Sequence, residues 1–381
     1  MLAEKNIATY RAEFPIAERY AHLNHASFSP YSTRVAAALR RHVDEFQTMP
    51  FDRLRPGLVA LTDELKGRIA RLIGAASPDE VVPMTGTAMG INTAAASLPL
   101  RAGDNVLVLE GDYPANIYPW LNQAPRGVLV KWVPQRDGGL DPDLLAARID
   151  RHTRVVALSS AMFATGFKND LATVGALCYD RGIYFVVDGI QTLGAFPLDV
   201  RACHIDMLAC GSQKWLLSAP GSGFLYCRRA LLDELQPGAY VGAASTVDPM
   251  NYLDYNFTVQ PSAERFNLGT PNAPGLVALH AALGLLLEVG AEAITQQILA
   301  ITDTLIDDLR RRGYTVLSNL APQHRSGIVI VEVPDPQGAY EKLLDAGVLT
   351  SVRGRGLRFS PHFYNDAADV LRAGDVLGDR H

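Results

Sequence analysis

The stretch VVDGIQTLGAFPLDV (186–200) decides the fold. Its first residues belong to the apolar run YFVVDG (184–189), which Asp188 closes before turn residues follow. An apolar run without alternation is buried on both faces, the pattern of a strand inside a mainly parallel sheet. Open α/β sheets place their ligand groups at the carboxyl ends of such strands, where Asp188 stands. A carboxylate buried there is costly unless it is paired, hydrogen-bonded or functional; capping the following helix would also satisfy it. Gln191, three residues on, can reach toward the same ligand.

The same texture recurs on either side. NVLVLE (105–110), VLVKWV (128–133) and RVVALSS (154–160) read as further strands buried on both faces. Helical patterns lie between them, DPDLLAARIDRH (141–152) and LATVGALCYDRG (171–182). Asp141 and Pro142 form an N-cap and first-turn signal, and Gly182 a stop. GFLYCR (223–228) reads as one more strand, reversed in direction. Around residue 260 the pattern changes. A loop-rich stretch leads into a long helix from about 275 to 311, then SGIVIVEV (326–333), the helix PQGAYEKLLDAG (336–347), a strand near LTSVRG and LRFS (357–360). These predict a smaller α+β unit with an antiparallel sheet. The expected organisation is therefore an N-terminal segment, 1–20, packing with the small domain, a large α/β domain over 21–260, and a small C-terminal domain over 261–381.

Composition narrows the classes. The 381 residues carry 35 Lys and Arg against 40 Asp and Glu, a net charge of −5, with 48% hydrophobic residues. That excludes a disordered chain and argues against a dedicated nucleic-acid binder. The N-terminus lacks an apolar signal core, and no apolar run reaches the ~18 residues of a membrane span. Four cysteines, Cys178, Cys203, Cys210 and Cys227, form no C-x-x-C pair and have no zinc spacing, so buried thiols in a reducing cytoplasm are expected. No G-x-G-x-x-G helix entry and no G-x-x-x-x-G-K-[ST] loop occurs.

Two further motifs carry chemistry. In MTGTAMGINTAAASL (84–98), Gly86, Thr87 and Ala88 precede a helical run, so several backbone N–H groups converge where the helix dipole favours an anion. An ordinary N-cap reads the same way. In GSQKWLLSAPGSGFLY (211–226), Lys214 lies among apolar residues. Desolvation lowers a lysine's pKa and frees the amine to attack an aldehyde; a snorkelling or ion-paired lysine is the alternative. A phosphate cradle, a carboxylate and an amine match the three handles of pyridoxal 5'-phosphate.

From HLNHASFSP (22–30) through TGTAMGIN, GDYPANIYPW, VVDGIQTLG, GSQKWLLSAPGSGFLY and NLGTPNAPG to LRFSPHFYND (357–366), the chain resembles the fold-type-I pyridoxal-phosphate enzymes of the class V aminotransferase group. That group includes cysteine desulfurases and isopenicillin-N-epimerase-like proteins. The resemblance implies a large cofactor-binding domain with a mainly parallel sheet of the seven-stranded type. It implies that Lys214 binds the cofactor aldehyde and then shuttles the Cα proton, that Asp188 pairs with the ring nitrogen, and that Gln191 bonds the ring O3′. Backbone at Gly86, Thr87 and Ala88, with the Ser212 side chain, would hold the phosphate. Tyr113 would stack on the ring. Gly269 and Thr270 would reach the phosphate of a neighbouring subunit, in a homodimer with shared sites. Arg358 would take the substrate α-carboxylate, with Arg353 or Arg355 serving instead or recognising a second acidic group. Asn24 and His25 would border the substrate.

The chain also departs from the desulfurases. The stretch from NLAPQHRSG to LTSVRGRG has no Cys, and Gln213 stands where desulfurases have His. A persulfide mechanism is not expected. The remaining options are a lyase or aminotransferase, favoured here, and an epimerase using Tyr113 or His25 as a second acid or base. A non-catalytic binding protein of the same fold is disfavoured by the retention of Lys214, Asp188 and Arg358 together.

Overall fold

A computed structural model describes residues 9–235, 240–251, 253 and 255–380. Seven strands form the central sheet: β2 (Val81–Met84), β3 (Asn105–Leu109), β4 (Leu129–Val133), β5 (Thr153–Ser159), β6 (Tyr184–Asp188), β7 (Met207–Gly211) and β8 (Gly223–Cys227). Their order is β2-β8-β7-β6-β5-β3-β4, and β8 runs opposite to the other six. The apolar runs explain this sheet directly. Leu107, Leu109, Val156, Leu158, Phe185 and Val187 face one core, and Val106, Val108, Val155, Ala157 and Val186 the other. Each fully buried Val or Leu contributes about 1.5–3 kcal/mol, so alternation within an unbroken apolar run holds helices on both faces.

β4 corrects one expectation. It is the edge strand, with Leu129 and Trp132 exposed, because β3 covers only one of its sides. The helix expected over 141–152 is also shorter, α4 (Pro142–Arg148), below. Before it come α1 (Thr33–Thr48), α2 (Phe51–Ile73) and α3 (Thr87–Ser97). After α4 comes α5 (Leu171–Asp180), whose chain reverses at Gly182, φ 63°.

The long helix expected from 275 to 311 is two helices, α6 (Ala273–Val289) and α7 (Ala291–Arg311), bent by 81°. Gly290 makes the break: at φ 89° it closes α6 through its N–H to Leu286 and opens α7 through its carbonyl to Ile294. Among the described residues no single helix is long and apolar enough to cross a membrane. α6 is buried on nearly every side, with Leu276, Leu279 and Leu283 in the same core as β3 and β6. Packing is thus continuous across residue 260.

The second sheet is antiparallel, in the order β12 (Ser351–Arg353), β13 (Gly356–Phe359), β10 (Val329–Glu332), β9 (Thr315–Val316). α7, α8 (Pro336–Asp345) and α9 (Ala367–Leu377) accompany it, and Leu305, Val331, Leu357, Phe359 and Val370 share its core. β1 (Ala21–His22) pairs in parallel with β11 (Val348–Leu349), and Asn24 bridges to Ser360. The chain from 21 to 29 therefore runs along the small sheet toward the large one. Of the segment 1–20, residues 1–8 lie outside the described part. The remainder contacts both units: Tyr10 donates to Glu288 at the end of α6, Arg11 pairs with Asp369, and Phe14 stacks on Tyr364 at 3.9 Å.

Candidate active site

The carboxyl ends of β5, β6 and β7 lie side by side, and their side chains build the site. Asp188 ends β6 opposite Ala209 of β7, and Lys214 follows β7 by three residues. Both are buried. Asp188 Oδ1 accepts the Ile190 N–H at 3.0 Å, and its carbonyl accepts Ser160 N–H. Burial pushes the Asp188 carboxyl up, while the lysine's charge pulls it back. Burial pushes the Lys214 ammonium down, toward the neutral amine, against attraction from Asp188.

Backbone geometry holds Lys214 in place. Leu217 closes its turn by an N–H bond to the Lys214 carbonyl and sits at φ 56°, which costs a leucine about 1–2 kcal/mol. Gly194, after the Asp188 turn, passes so close to Trp215 that a Cβ would lie 2.1 Å from its carbonyl oxygen. The Trp215 indole donates to Gln191 Oε1 at 3.1 Å, and Gln191 Nε2 donates to Ala26 O. Gln191 therefore clamps the lysine loop to the 24–29 segment, and Nε2 keeps a second N–H.

The expected anion cradle is at the start of α3. Gly86 is its N-cap, and a Cβ there would meet nothing within 4 Å. The Thr87 hydroxyl oxygen accepts Gly211 N–H at 2.8 Å, tying the cradle to β7, and Ala88 is exposed. First-turn N–H groups have no partner inside a helix, so the cradle keeps free donors. Ser212 departs from its expected role. Its hydroxyl is fully buried and points into the 219–222 turn, 2.7 Å from Ala219 O, so it braces the lysine loop.

Tyr113 follows Asp112, whose buried carboxylate accepts the Tyr113 and Ser159 N–H groups and Asn116 Nδ2. The tyrosine ring is 42% exposed, and Lys214 Nζ stands 5.2 Å from its centroid. Phe163, in the turn after β5, meets Tyr113 edge-on at 5.1 Å and accepts from Arg358 Nη1 through its carbonyl at 3.1 Å. Arg358 is 1% exposed, and its remaining contacts are Ser27 Oγ and, at 3.5 Å, Asn24 Oδ1. Its Nε is buried without a partner, and among the described residues no carboxylate pairs with it. Burial, then Arg353, opposes its charge. Arg355 is instead exposed and paired with Glu332, which removes it from the site.

His25 is also not where the epimerase reading needs it. Its ring is fully buried, with Nδ1 on Ser360 O and Nε2 on the Tyr364 hydroxyl, both at 2.9 Å. With both nitrogens engaged, it has no position for a substrate proton. Gly269 and Thr270 line a groove together with Thr85, just before the cradle, and with Met89 and Asn92 of α3. Thr270 is exposed there. Of the four thiols, Cys203 is half-buried and the others buried; burial pushes all four up, so none is a ready thiolate.

Residues missed in the sequence are Ser27, Asp112, Asn116, Phe163 and Ser160. Asp112 stands in GDYPANIYPW beside Tyr113, and Phe163 lies in the turn four residues after β5 ends, so position relative to the sheet was the available signal.

The profile of the family described as aminotransferase class-V matches residues 52–372. The chain belongs to the class-V aminotransferase family. It is a pyridoxal-phosphate-dependent enzyme. It is 27% identical over 397 residues to a probable cysteine desulfurase of Methanothermobacter thermautotrophicus, covering 96% of each chain. It is 27% identical over 370 residues to an uncharacterized aminotransferase, YcbU, of Bacillus subtilis, covering 97% of this chain and 96% of that one. The fold matches the apo cysteine desulfurase of Thermococcus onnurineus NA1 with a TM-score of 0.88, at 22% identity, over 99% and 98% of the two chains.

The donor set suits the cofactor. An open anion cradle, a buried carboxylate, a desolvated amine and a flat aromatic face converge at one end of the sheet.

Proposed function

We propose that this class-V enzyme is an amino-acid lyase, acting by β-elimination with C–S cleavage included, or an aminotransferase. The buried guanidinium of Arg358, which no carboxylate among the described residues pairs with and which lies within electrostatic reach of Lys214, carries this reading. Such a fork is shaped for a carboxylate, and a carboxylate beside an amine acceptor describes an α-amino acid.

Pyridoxal phosphate, when bound, supplies an aldehyde for the amino group and a ring that draws electrons from Cα. The start of α3, at Gly86, Thr87 and Ala88, would hold its phosphate. Asp188 would hold a negative charge against the ring nitrogen, and Tyr113 would cover a ring face. Lys214 would bind the aldehyde and afterwards move the proton at Cα through Nζ. Arg358 orients the substrate through its carboxylate, which sets the bond that breaks. Ser212 and Gln191 keep the lysine loop in register.

The absence of Cys between 320 and 360, with four thiols held protonated, supports chemistry without a protein persulfide. The engaged nitrogens of His25 leave the epimerase alternative one candidate acid fewer. A homodimer with Gly269 and Thr270 near the neighbouring subunit's phosphate is supported by the exposed Thr270 and by Leu253, Tyr255 and Phe257, exposed at 90%, 91% and 61%. Unpaired thiols support a cytoplasmic setting.

Incubation with a panel of amino acids separates the outcomes. Ammonia with a keto acid marks a lyase, a keto acid without ammonia in the presence of an acceptor marks an aminotransferase, and an inverted amino acid alone marks an epimerase. No conversion of any amino acid by cofactor-loaded protein would refute the proposal.

A further inference from the structure

β12 and β13 form a hairpin in which Ser351 faces Arg358 and Arg353 faces Gly356. Side chains alternate across a strand, so Arg353 and Arg358 leave the same face as diagonal neighbours. Phe163 links the two, its carbonyl accepting from Arg358 and its ring lying 6.0 Å from the Arg353 guanidinium.

Arg353 is only half provided for. Nη1 donates to the carbonyl of its own neighbour Val352, and Nε is buried with no partner. No carboxylate among the described residues pairs with it, whereas Arg355 two positions on has Glu332. Tyr113 and Lys214 are within its electrostatic reach. Two guanidinium groups thus leave one face of the hairpin, and of the nearby carboxylates Asp188 attracts Lys214 while Asp112 is spent on Ser159 and Asn116. An amino acid with a single carboxylate would pair with Arg358 and leave the half-buried Arg353 fork without a carboxylate.

We propose that Arg353 binds a second acidic group of the substrate, so that this enzyme prefers amino acids with an acidic side chain. This rests on the reading of Arg358 as the α-carboxylate site.

Calorimetric binding of succinate and butyrate to the cofactor-loaded protein tests it, with wild type, Arg353→Gln and Arg353→Lys compared. The wild type should bind the dicarboxylate at least tenfold more tightly. Arg353→Gln should weaken succinate about ten- to a hundredfold, the range of a charge-assisted contact, and leave butyrate within about twofold. Arg353→Lys should restore part of the loss. Equal binding of both acids by wild type, equal weakening of both by Arg353→Gln, or loss of a dimer in that variant would overturn the proposal. The last would assign the arginine to a neighbouring subunit's carboxylate. Protein that takes up no cofactor refutes the function above, yet the same titration on it still reads the two-acid preference.

Discussion

Lys214 Nζ stands 5.2 Å from the centroid of the Tyr113 ring, so the amine faces a flat aromatic surface. Cation–π attraction favours its charged form, whereas burial, the largest influence on its pKa, favours the neutral one. A ring already positioned over the amine is also positioned to cover a flat cofactor. Stacking of that kind contributes about 0.5–1.5 kcal/mol. Tyr113→Ala should therefore raise the cofactor dissociation constant about two- to twelvefold, and Tyr113→Phe should stay within about twofold. Equilibrium dialysis decides; unchanged retention by the alanine variant would remove the tyrosine from the cofactor site.

Asp188→Asn keeps an oxygen for the Ile190 N–H and loses only the charge. The expected result is a kcat lower by about a hundredfold or more, with KM little changed, because a fixed charge matters most where charge develops. A kcat within threefold of wild type would contradict the pairing assigned to Asp188.

Arg358→Lys retains a charge but not the planar fork. KM for amino acids should rise about ten- to a hundredfold while the visible cofactor band remains. A parallel thermal melt monitors the lost bonds to Phe163 O and Ser27, which are structural. An unchanged KM would move the α-carboxylate to Arg353.

His22 predicts a pH effect on stability. Burial lowers its pKa from 6.5 to about 4, and its Nδ1 has no partner. Above pH 6.5 both folded and unfolded states are neutral there, so nothing is lost. As pH falls toward 4 the unfolded chain takes up a proton that the folded state refuses, and stability declines. His22→Leu removes that proton uptake. Its stability relative to wild type should improve by about 2 kcal/mol between pH 7.5 and pH 5.0, read from urea midpoints. An identical difference at both pH values would show that His22 does not titrate in this way.

What the sequence carried well was local. Asp188 and Lys214 are charged residues set inside apolar runs, and their burial follows from that context alone. The strand expected over 223–228, reversed in direction, is β8. What it carried poorly depends on distant partners. Arg353, Arg355 and Arg358 look alike in sequence, and only the hairpin register puts two on one face and pairs the third with Glu332. Phe163 meets Arg358 across 195 positions. The break at Gly290 escaped because a lone glycine inside an apolar helix costs only about 1 kcal/mol, too little to distinguish a tolerated residue from a hinge. Ser212 is a hydroxyl next to the expected phosphate donors, and its inward direction is set by the 219–222 turn.

The central claim is a covalent link between vitamin B6 and one amine. Borohydride reduction of the cofactor-loaded protein, followed by peptide mass mapping, should place the pyridoxyl mass on Lys214 and leave the Lys214→Ala variant unlabelled and colourless. A label on another lysine, or none on a protein that still turns over amino acids, would contradict the account.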